Sequence, residues 1–547
     1  VRAIPMVGLD WKAFEARITR HHLGGPSGTI GRVVPLSELR KMGPQVLVML
    51  SRPTSKHPFD TAEGAPDWFG RWTYWRGVYL NAFYLARTYD VQRFQLFNEP
   101  DHPTHIHIEQ TDYLRRLQIG SDAVQAAIND VNRIDGKSLR AQISAPVSAG
   151  MIVFGPRKGR EDTRDAKTGW GELAMRHRRE DFAGSSVANP ELFQVYAFQS
   201  YGRSPARISK DLPKLRQLVA SANGGAALPL IVSEMNVSTA GDFSKKPETL
   251  DSAGYYDAFG AIAAAYVNAG IDEVYVFRLT QTDNLGNGQV KKNGTHIIDN
   301  RDPLKNITSS TRGAEAVRLF IRGFKGARAR MAEPTVMGND LHTAAACDEA
   351  DGTSTLMVTN LGAARNVNLD LFAWKLPQGA LTTVEEVSAM HHGNVKMALA
   401  LPLAGKMTLP MAAHSIALVT VRPTLSGTPR AVVPVTVEQG ALRALTPRAM
   451  KGRVMLALQA TARKTPLRVR VYGGTGDVAQ VDLLGQVMLE PKSVEAMVDV
   501  TRYVMAAGQV LVFQVVPDDA RLNATAFSIG ATQLRVFEAF LAVKTDT

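Results

Sequence analysis

Residues Phe94–Pro103 read FQLFNEPDHP. Phe94, Leu96 and Phe97 are apolar and bounded by polar residues, which predicts a buried strand. The strand runs into Asn98-Glu99-Pro100. An acidic side chain at the end of a buried strand is costly unless it is paired or at work. Pro100 cannot extend the ladder through its own nitrogen and turns the chain outward. Asn98 offers a donor and an acceptor beside the carboxyl group. A lone glutamate here could simply cap the next helix. A second stretch weighs against that reading. Leu230–Asn236, LIVSEMN, is again a short apolar strand that ends in a glutamate, Glu234, followed by polar residues, 135 residues after Glu99.

Outward from these two stretches the chain alternates. Strands are predicted at 46–50, 141–146, 193–198 and 273–277, and helices near 68–87, 111–128, 208–220 and 255–269. Alternating strands and helices argue for a parallel sheet. Six strands from residue 45 onward suit an eight-stranded α/β barrel if two more precede them. The first 45 residues show helical spacing at Trp11, Phe14 and Ile18 but do not supply both. Active residues of such barrels stand at the C-terminal strand ends, where Glu99 and Glu234 fall. After Phe324 the pattern changes to short alternating strands between turn residues, which reads as antiparallel sandwich. A Pro/Ser/Gly/Thr-rich stretch at 423–434 reads as a linker. The expected domains are a (β/α)8 TIM barrel over 1–325 and two antiparallel β-sandwich domains over 326–425 and 426–547. The last could bind carbohydrate. Between Arg430 and Arg470 nine Lys/Arg face one acid, Glu438, and a solvated sheet surface is the plainer account.

Composition is that of an ordinary globular chain: 547 residues, 45% hydrophobic and 21% charged. No run approaches the ~18 apolar residues of a membrane span. The single cysteine, Cys347, excludes an internal disulfide and a cysteine-based zinc site. A net charge of +12 favours anionic partners. No nucleic-acid motif accompanies it, which leaves sulfated or carboxylated polysaccharide. The first residue is valine and no signal peptide is legible, so the chain is expected to be a mature or trimmed form.

Two carboxyl groups on strand ends of one sheet are the minimum equipment of a retaining glycoside hydrolase, one giving a proton to the leaving oxygen and one attacking the anomeric carbon. On Asn98-Glu99-Pro100 and Glu234 the chain resembles the clan of TIM-barrel retaining glycosidases. The resemblance implies Glu99 as acid/base, Glu234 as nucleophile, Asn98 as partner of the sugar 2-hydroxyl and Tyr201 as the residue that orients the nucleophile. It also places these glutamates on the fourth and seventh barrel strands. Further along, FRLTQT (277–282), KKNGTH (291–296), Asp299-Asn300 and STRGAE (310–315) look like the β-agarase and β-porphyranase family, glycoside hydrolase family 86. That resemblance implies a barrel followed by two sandwiches, a secreted or periplasmic enzyme, and cleavage of β-1,4 linkages in agarose or sulfated porphyran. Arg278, where that family is expected to carry lysine, is a departure, as is the compressed N-terminal end.

Other candidates for substrate contact are Arg52, His57, Trp68, His102, Asn236, Arg278, Asn293 and His296. Trp68, Trp72 and Trp75 share a helical face, with Trp75 expected in the core and Trp68 free to stack on a sugar. Arg52 could equally sit in a structural salt bridge. His102, His105 and His107 match no standard zinc spacing, so neither metal nor cofactor is expected. Asn236, Asn293, Asn306 and Asn523 each begin an Asn-x-Ser/Thr triplet. A glycan two residues from Glu234 would block the site, so Asn236 reads as a ligand contact. If the substrate is sulfated, some of Arg52, His57, His102, Arg203 and Arg278 should lack a carboxylate partner. Rival readings are another enzyme of the clan, such as a xylosidase or glucuronidase-like exo-enzyme, and a non-catalytic polysaccharide-binding protein.

Overall fold

A computed structural model describes residues 2–3, 47–50, 67–102, 110–153, 169–180, 191–238, 252–277, 298–299, 309–324, 329–331, 334, 338–402, 405–427, 431–438, 441–445, 453–460, 467–475, 482–489, 495–499, 509–517 and 529–537. At 2–3, 67–73, 298–299, 309–310, 329 and most positions beyond 430 the description covers the backbone alone. Contacts divide the chain into two units, 1–247 with 269–309, and 248–268 with 310–547.

The first unit is built on one parallel sheet of seven strands in chain order: β1 (Arg2–Ala3), β2 (Leu47–Met49), β3 (Arg93–Gln95), β4 (Gln142–Ser148), β5 (Val195–Tyr201), β6 (Leu230–Asn236) and β7 (Glu273–Val276). Helices α1 (Asp67–Tyr89), α2 (Gln110–Asp135), α3 (Trp170–Arg176) and α4 (Pro205–Ala222) lie between strands in the chain, as parallel neighbours require. All six strands expected from residue 45 onward are present. Of the two expected before them, β1 is the one among the described residues, and it pairs directly with β2. Glu99 thus follows the third described strand and Glu234 lies in the sixth, the three-strand separation that the clan resemblance implies.

The sheet is curled, and one ion pair shows it. Strands β3 and β7 stand four places apart, about 19 Å in a flat sheet. Yet Arg93 Nη2, at the start of β3, donates to both carboxylate oxygens of Glu273, at the start of β7, at 2.8 and 2.7 Å. Two side chains cannot span the flat distance, so the strands wrap around a concave side that contains the pair. Tyr275 Oη donates to Glu273 Oε2 at 2.7 Å. Leu47, Val147, Val195, Ala197 and Ile231 pack on the same side with Tyr275.

Helices α1 and α2 are joined by three bonds that follow their long axes. Trp75 Nε1 donates to Asp122 at 2.6 Å, Tyr79 Oη to Asp130 at 2.7 Å and Arg87 Nε to Asp135 at 3.0 Å. Trp75 and Tyr79, four residues apart on one face, also stack at 4.9 Å. Burial, and then the Asp130 carboxylate, push the Tyr79 phenol up to about 12. Helix α4 opens on Ser204, whose Oγ accepts from Arg207 N, with Pro205 at its first position.

The second unit is mainly antiparallel. A ten-stranded sheet runs, in spatial order, through 329–330, 341–347, 354–360, 415–426, 380–387, 392–400, 495–499, 453–460, 529–537 and 431–434. The two-stranded antiparallel sheet of 365–370 with 406–411 sets Leu369, Met407, Leu409 and Met411 against Leu356, Val358, Val384 and Val419, a face-to-face layering of two sheets. The pairing of Val395 with Met497 carries the large sheet across position 425, where a boundary between two sandwiches was expected. Helices α5 (Ala253–Asn268) and α6 (Arg312–Phe324) belong to this unit by their contacts. In α5, Gly260 lies so close to the sheet that an added Cβ would strike Thr359 Oγ1 and Ile416. Among the described residues no helix is long and apolar enough to cross a membrane.

Two substitutions test these packing arguments. Arg93→Met should lower the unfolding free energy by about 2 kcal/mol in chemical denaturation, less than the ~3–5 of a fully buried broken pair because Glu273 keeps 31% side-chain exposure. Gly260→Ala should destabilise by about 1–3 kcal/mol through overpacking, with the loss read in the same experiment.

Candidate active site

Glu234 reaches the concave side because its strand is irregular. Ile231 packs in the concave cluster, so strict alternation would turn 233 and 235 inward and Glu234 outward. The register between β5 and β6 shifts at this point. Phe198 pairs with Val232, and Gln199 with Glu234, leaving Ser233 as the extra residue of a bulge. Ser233 Oγ donates to Phe198 O at 3.2 Å across the irregularity. The bulge brings Glu234 into line with Gln199, and Asn236 with Tyr201, whose strand places Val195, Ala197, Gln199 and Tyr201 on one side. Tyr201 Oη then donates to Glu234 Oε2 at 2.6 Å and fixes the rotation of the carboxylate. Phe277 meets the Tyr201 ring edge-on at 6.4 Å.

Glu99 is held differently. The ladder of β3 stops at Gln95, four residues short, so Glu99 stands on a turn rather than in the strand. Its φ is +49°, in the left-handed region, and the turn closes with His102 N donating to Glu99 O at 3.0 Å. Glu99 N donates to Val147 O at 2.9 Å, and Val147 itself has φ +58° at a second bulge, between Pro146 and Ser148. A β-branched residue in that region is a strained conformation. Asp101 fastens the far side of the turn, accepting from Ala149 N at 2.7 Å. Both glutamates are buried, Glu99 at 6% and Glu234 at 7% exposure, and both stand at the C-terminal lip of the sheet.

Between them lies a row of amides. Gln199 Nε2 donates to Asn98 Oδ1 at 2.7 Å, and Gln95 Nε2 donates to Phe97 O at 2.5 Å and approaches Asn98 Oδ1 at 3.5 Å. Neither glutamine stands out in the sequence, although the two-residue spacing from Gln199 to Tyr201 is the signal that could have marked it.

The other candidates separate. Asn236, 1% exposed, donates through Nδ2 to Phe277 O at 2.6 Å and accepts from Val237 N at 2.7 Å, so its amide latches the ends of β6 and β7. Arg203 is ion-paired with Asp211 at 3.0 Å, a carboxylate that Arg207 also approaches. His102 is half-buried on the Glu99 turn. Trp68 lies in the first turn of α1, where the description covers backbone alone. Arg52, His57, Arg278, Asn293 and His296 lie outside the described residues. Among the described residues no group of three or more His, Cys, Asp or Glu side chains has a metal-holding arrangement.

No family model and no curated protein matches the chain. Solved structures do. An endoxylanase of glycoside hydrolase family 30 from Clostridium papyrosolvens aligns at 11% identity and TM-score 0.47, over 77% of this chain and 89% of that one. A glucosidase from Croceicoccus marinus aligns at 13% and 0.48, over 71% and 80%. A monomeric β-xylosidase from Caulobacter crescentus aligns at 12% and 0.48, over 77% and 96%.

Strain at Val147 predicts an unequal pair of variants. Val147 and Val195 are both buried in the same cluster, but only Val147 has a positive φ. Val147→Gly should destabilise by about 1–2 kcal/mol less than Val195→Gly in denaturant titration, because glycine releases the strain at the first position alone.

Proposed function

We propose that the chain is a retaining glycoside hydrolase acting on polysaccharide, with Glu234 as nucleophile and Glu99 as acid/base. The observation that carries this reading is the placement of two buried carboxyl groups at one lip of a curled parallel sheet, one of them held by the hydroxyl of Tyr201. In the first step a Glu234 oxygen attacks the anomeric carbon while the glycosidic bond breaks and the leaving oxygen takes the Glu99 proton. In the second step Glu99, now ionised, accepts a proton from water as that water attacks the same carbon and expels Glu234. Two inversions at one carbon give net retention. Tyr201 keeps one Glu234 oxygen engaged and so limits the orientations from which attack occurs. Asn98 supplies a donor toward the sugar hydroxyl next to the anomeric carbon.

For substrate we infer a β-1,4-linked galactan of the red-algal type, taken by an exported enzyme. The stretches at 277–282, 291–296 and 310–315 and the net charge of +12 support it. The ion pair of Arg203 with Asp211 leaves that cation engaged within the protein and removes it from the candidates for a sulfate contact. Incubation with agarose, porphyran, carrageenan and xylan, with products sized, tests this directly. Release of xylose or of single uronic acid units would replace the galactan reading by the exo-enzyme one.

Glu234→Ala should lower kcat by about 10⁴-fold or more while oligosaccharide binding persists. Added azide should then restore turnover as a glycosyl azide of inverted configuration. Unchanged activity in this variant would place the nucleophile elsewhere. Tyr201→Phe should reduce kcat by about 10- to 100-fold, the range expected for one hydrogen bond to a charged group. Proton NMR of the first-formed products should show retained anomeric configuration.

A further inference from the structure

We propose that Gln199 is a positioning residue that locks the amide of Asn98 in one of its two orientations, so that Asn98 presents its NH2 group to a sugar hydroxyl. A side-chain amide has a donor end and an acceptor end of nearly equal shape. Rotating it by half a turn exchanges a site that donates for one that accepts, with little change in packing. Asn98 stands next to Glu99 and is only half-buried, so packing alone does not choose between the two orientations. Gln199 does choose. Its Nε2 donates to Asn98 Oδ1 at 2.7 Å, and a donor at that point is compatible with the oxygen only. Gln95 Nε2 approaches the same oxygen at 3.5 Å and reinforces the choice.

Gln199 is itself well placed to act as a fixed reference. It is 1% exposed, lies in β5 rather than in a loop, and pairs in register with Glu234. Its own Oε1 is buried without a hydrogen-bond partner among the described residues. Reversing the Gln199 amide would bring that oxygen against Asn98 Oδ1, two acceptors in contact. Reversing both amides together would set Asn98 Nδ2 beside Gln95 Nε2, which its bond to Phe97 O marks as a donor end, so the observed pair of orientations holds even though it leaves a buried acceptor unmatched. One strand thus serves both halves of the site, Tyr201 holding Glu234 and, two residues earlier, Gln199 holding Asn98. The consequence for turnover rests on the glycosidase reading, whereas the lock itself does not.

Gln199→Met keeps the volume and removes the donor. On the polysaccharide that the wild type cleaves, kcat should fall about 10- to 100-fold, as for a misoriented positioning group, with KM within about twofold. Thermal stability should be unchanged or higher, because the unmatched acceptor is also removed. A purely structural role would instead lower the melting temperature. Asn98→Ala should lower kcat at least as far, and the double variant should be no slower than Asn98→Ala alone. Unchanged kcat in Gln199→Met, or losses that multiply in the double variant, would overturn the lock. A second readout needs no turnover. In protein labelled with ¹⁵N-asparagine, the Asn98 side-chain signal, identified by its loss in Asn98→Ala, should shift in Gln199→Met. A signal that stays in place overturns the proposal. A wild type that cleaves no glycan, with the signal shifting in Gln199→Met, would sink the glycosidase reading and leave the lock standing.

Discussion

Everything at the lip depends on the curl of the parallel sheet, and the bond that crosses that curl is the pair of Arg93 with Glu273. Strands β3 and β6 would lie about 14 Å apart in a flat sheet. A retaining glycosidase needs its carboxyl groups about 5–5.5 Å apart. Wrapping the strands around a shared interior draws their C-terminal ends together. The ion pair sits at the opposite ends of the strands, at the starts of β3 and β7, in the same concave space as Leu47, Val195 and Ile231. Burying a charged pair is a poor source of stability by itself. Its geometry, one guanidinium nitrogen shared by both carboxylate oxygens across strands four places apart, instead ties the two sides of the curved sheet to each other.

The lip departs from ideal structure where the two glutamates are aimed. Bulges interrupt β4 at Val147 and β6 at Ser233, and positive φ angles occur at Glu99 and Val147. A regular strand can send a side chain to only one of two faces, and its direction follows from the residue count. A bulge changes that count locally. Here the change turns Glu234 inward, and the strained Val147 offers its carbonyl to the backbone of Glu99. These features run against local preference and are maintained by the surrounding packing, the pattern expected where a chain gives up some stability to hold reactive groups. The regular strand β5 faces both irregular elements and supplies Tyr201 and Gln199 from a fixed frame.

The residue sequence determined the strand and helix rhythm from Val46 to Phe277, because short apolar runs, helical spacing and proline stops are local signals. It also marked Glu99 and Glu234, because an acid at the end of an apolar run is conspicuous without any knowledge of its surroundings. Tyr201, also at a strand end, was marked only through the resemblance to the glycosidase clan. What only the tertiary structure decided is non-local. The direction of Glu234 depends on a register shift between two strands, whereas strict alternation counted from Ile231 would point it outward. The roles of Gln199 and Asn236 depend on which amide or carbonyl stands opposite them, Asn98 in one case and Phe277 in the other. Arg93 and Glu273 are 180 positions apart, and nothing near either residue announces the other. Likewise α5, which follows β6 as a barrel helix would, belongs with the antiparallel unit because Gly260 allows its backbone to approach Thr359 and Ile416. Hydrophobic pattern is written residue by residue, but the partner of a buried polar group is settled only when distant segments meet.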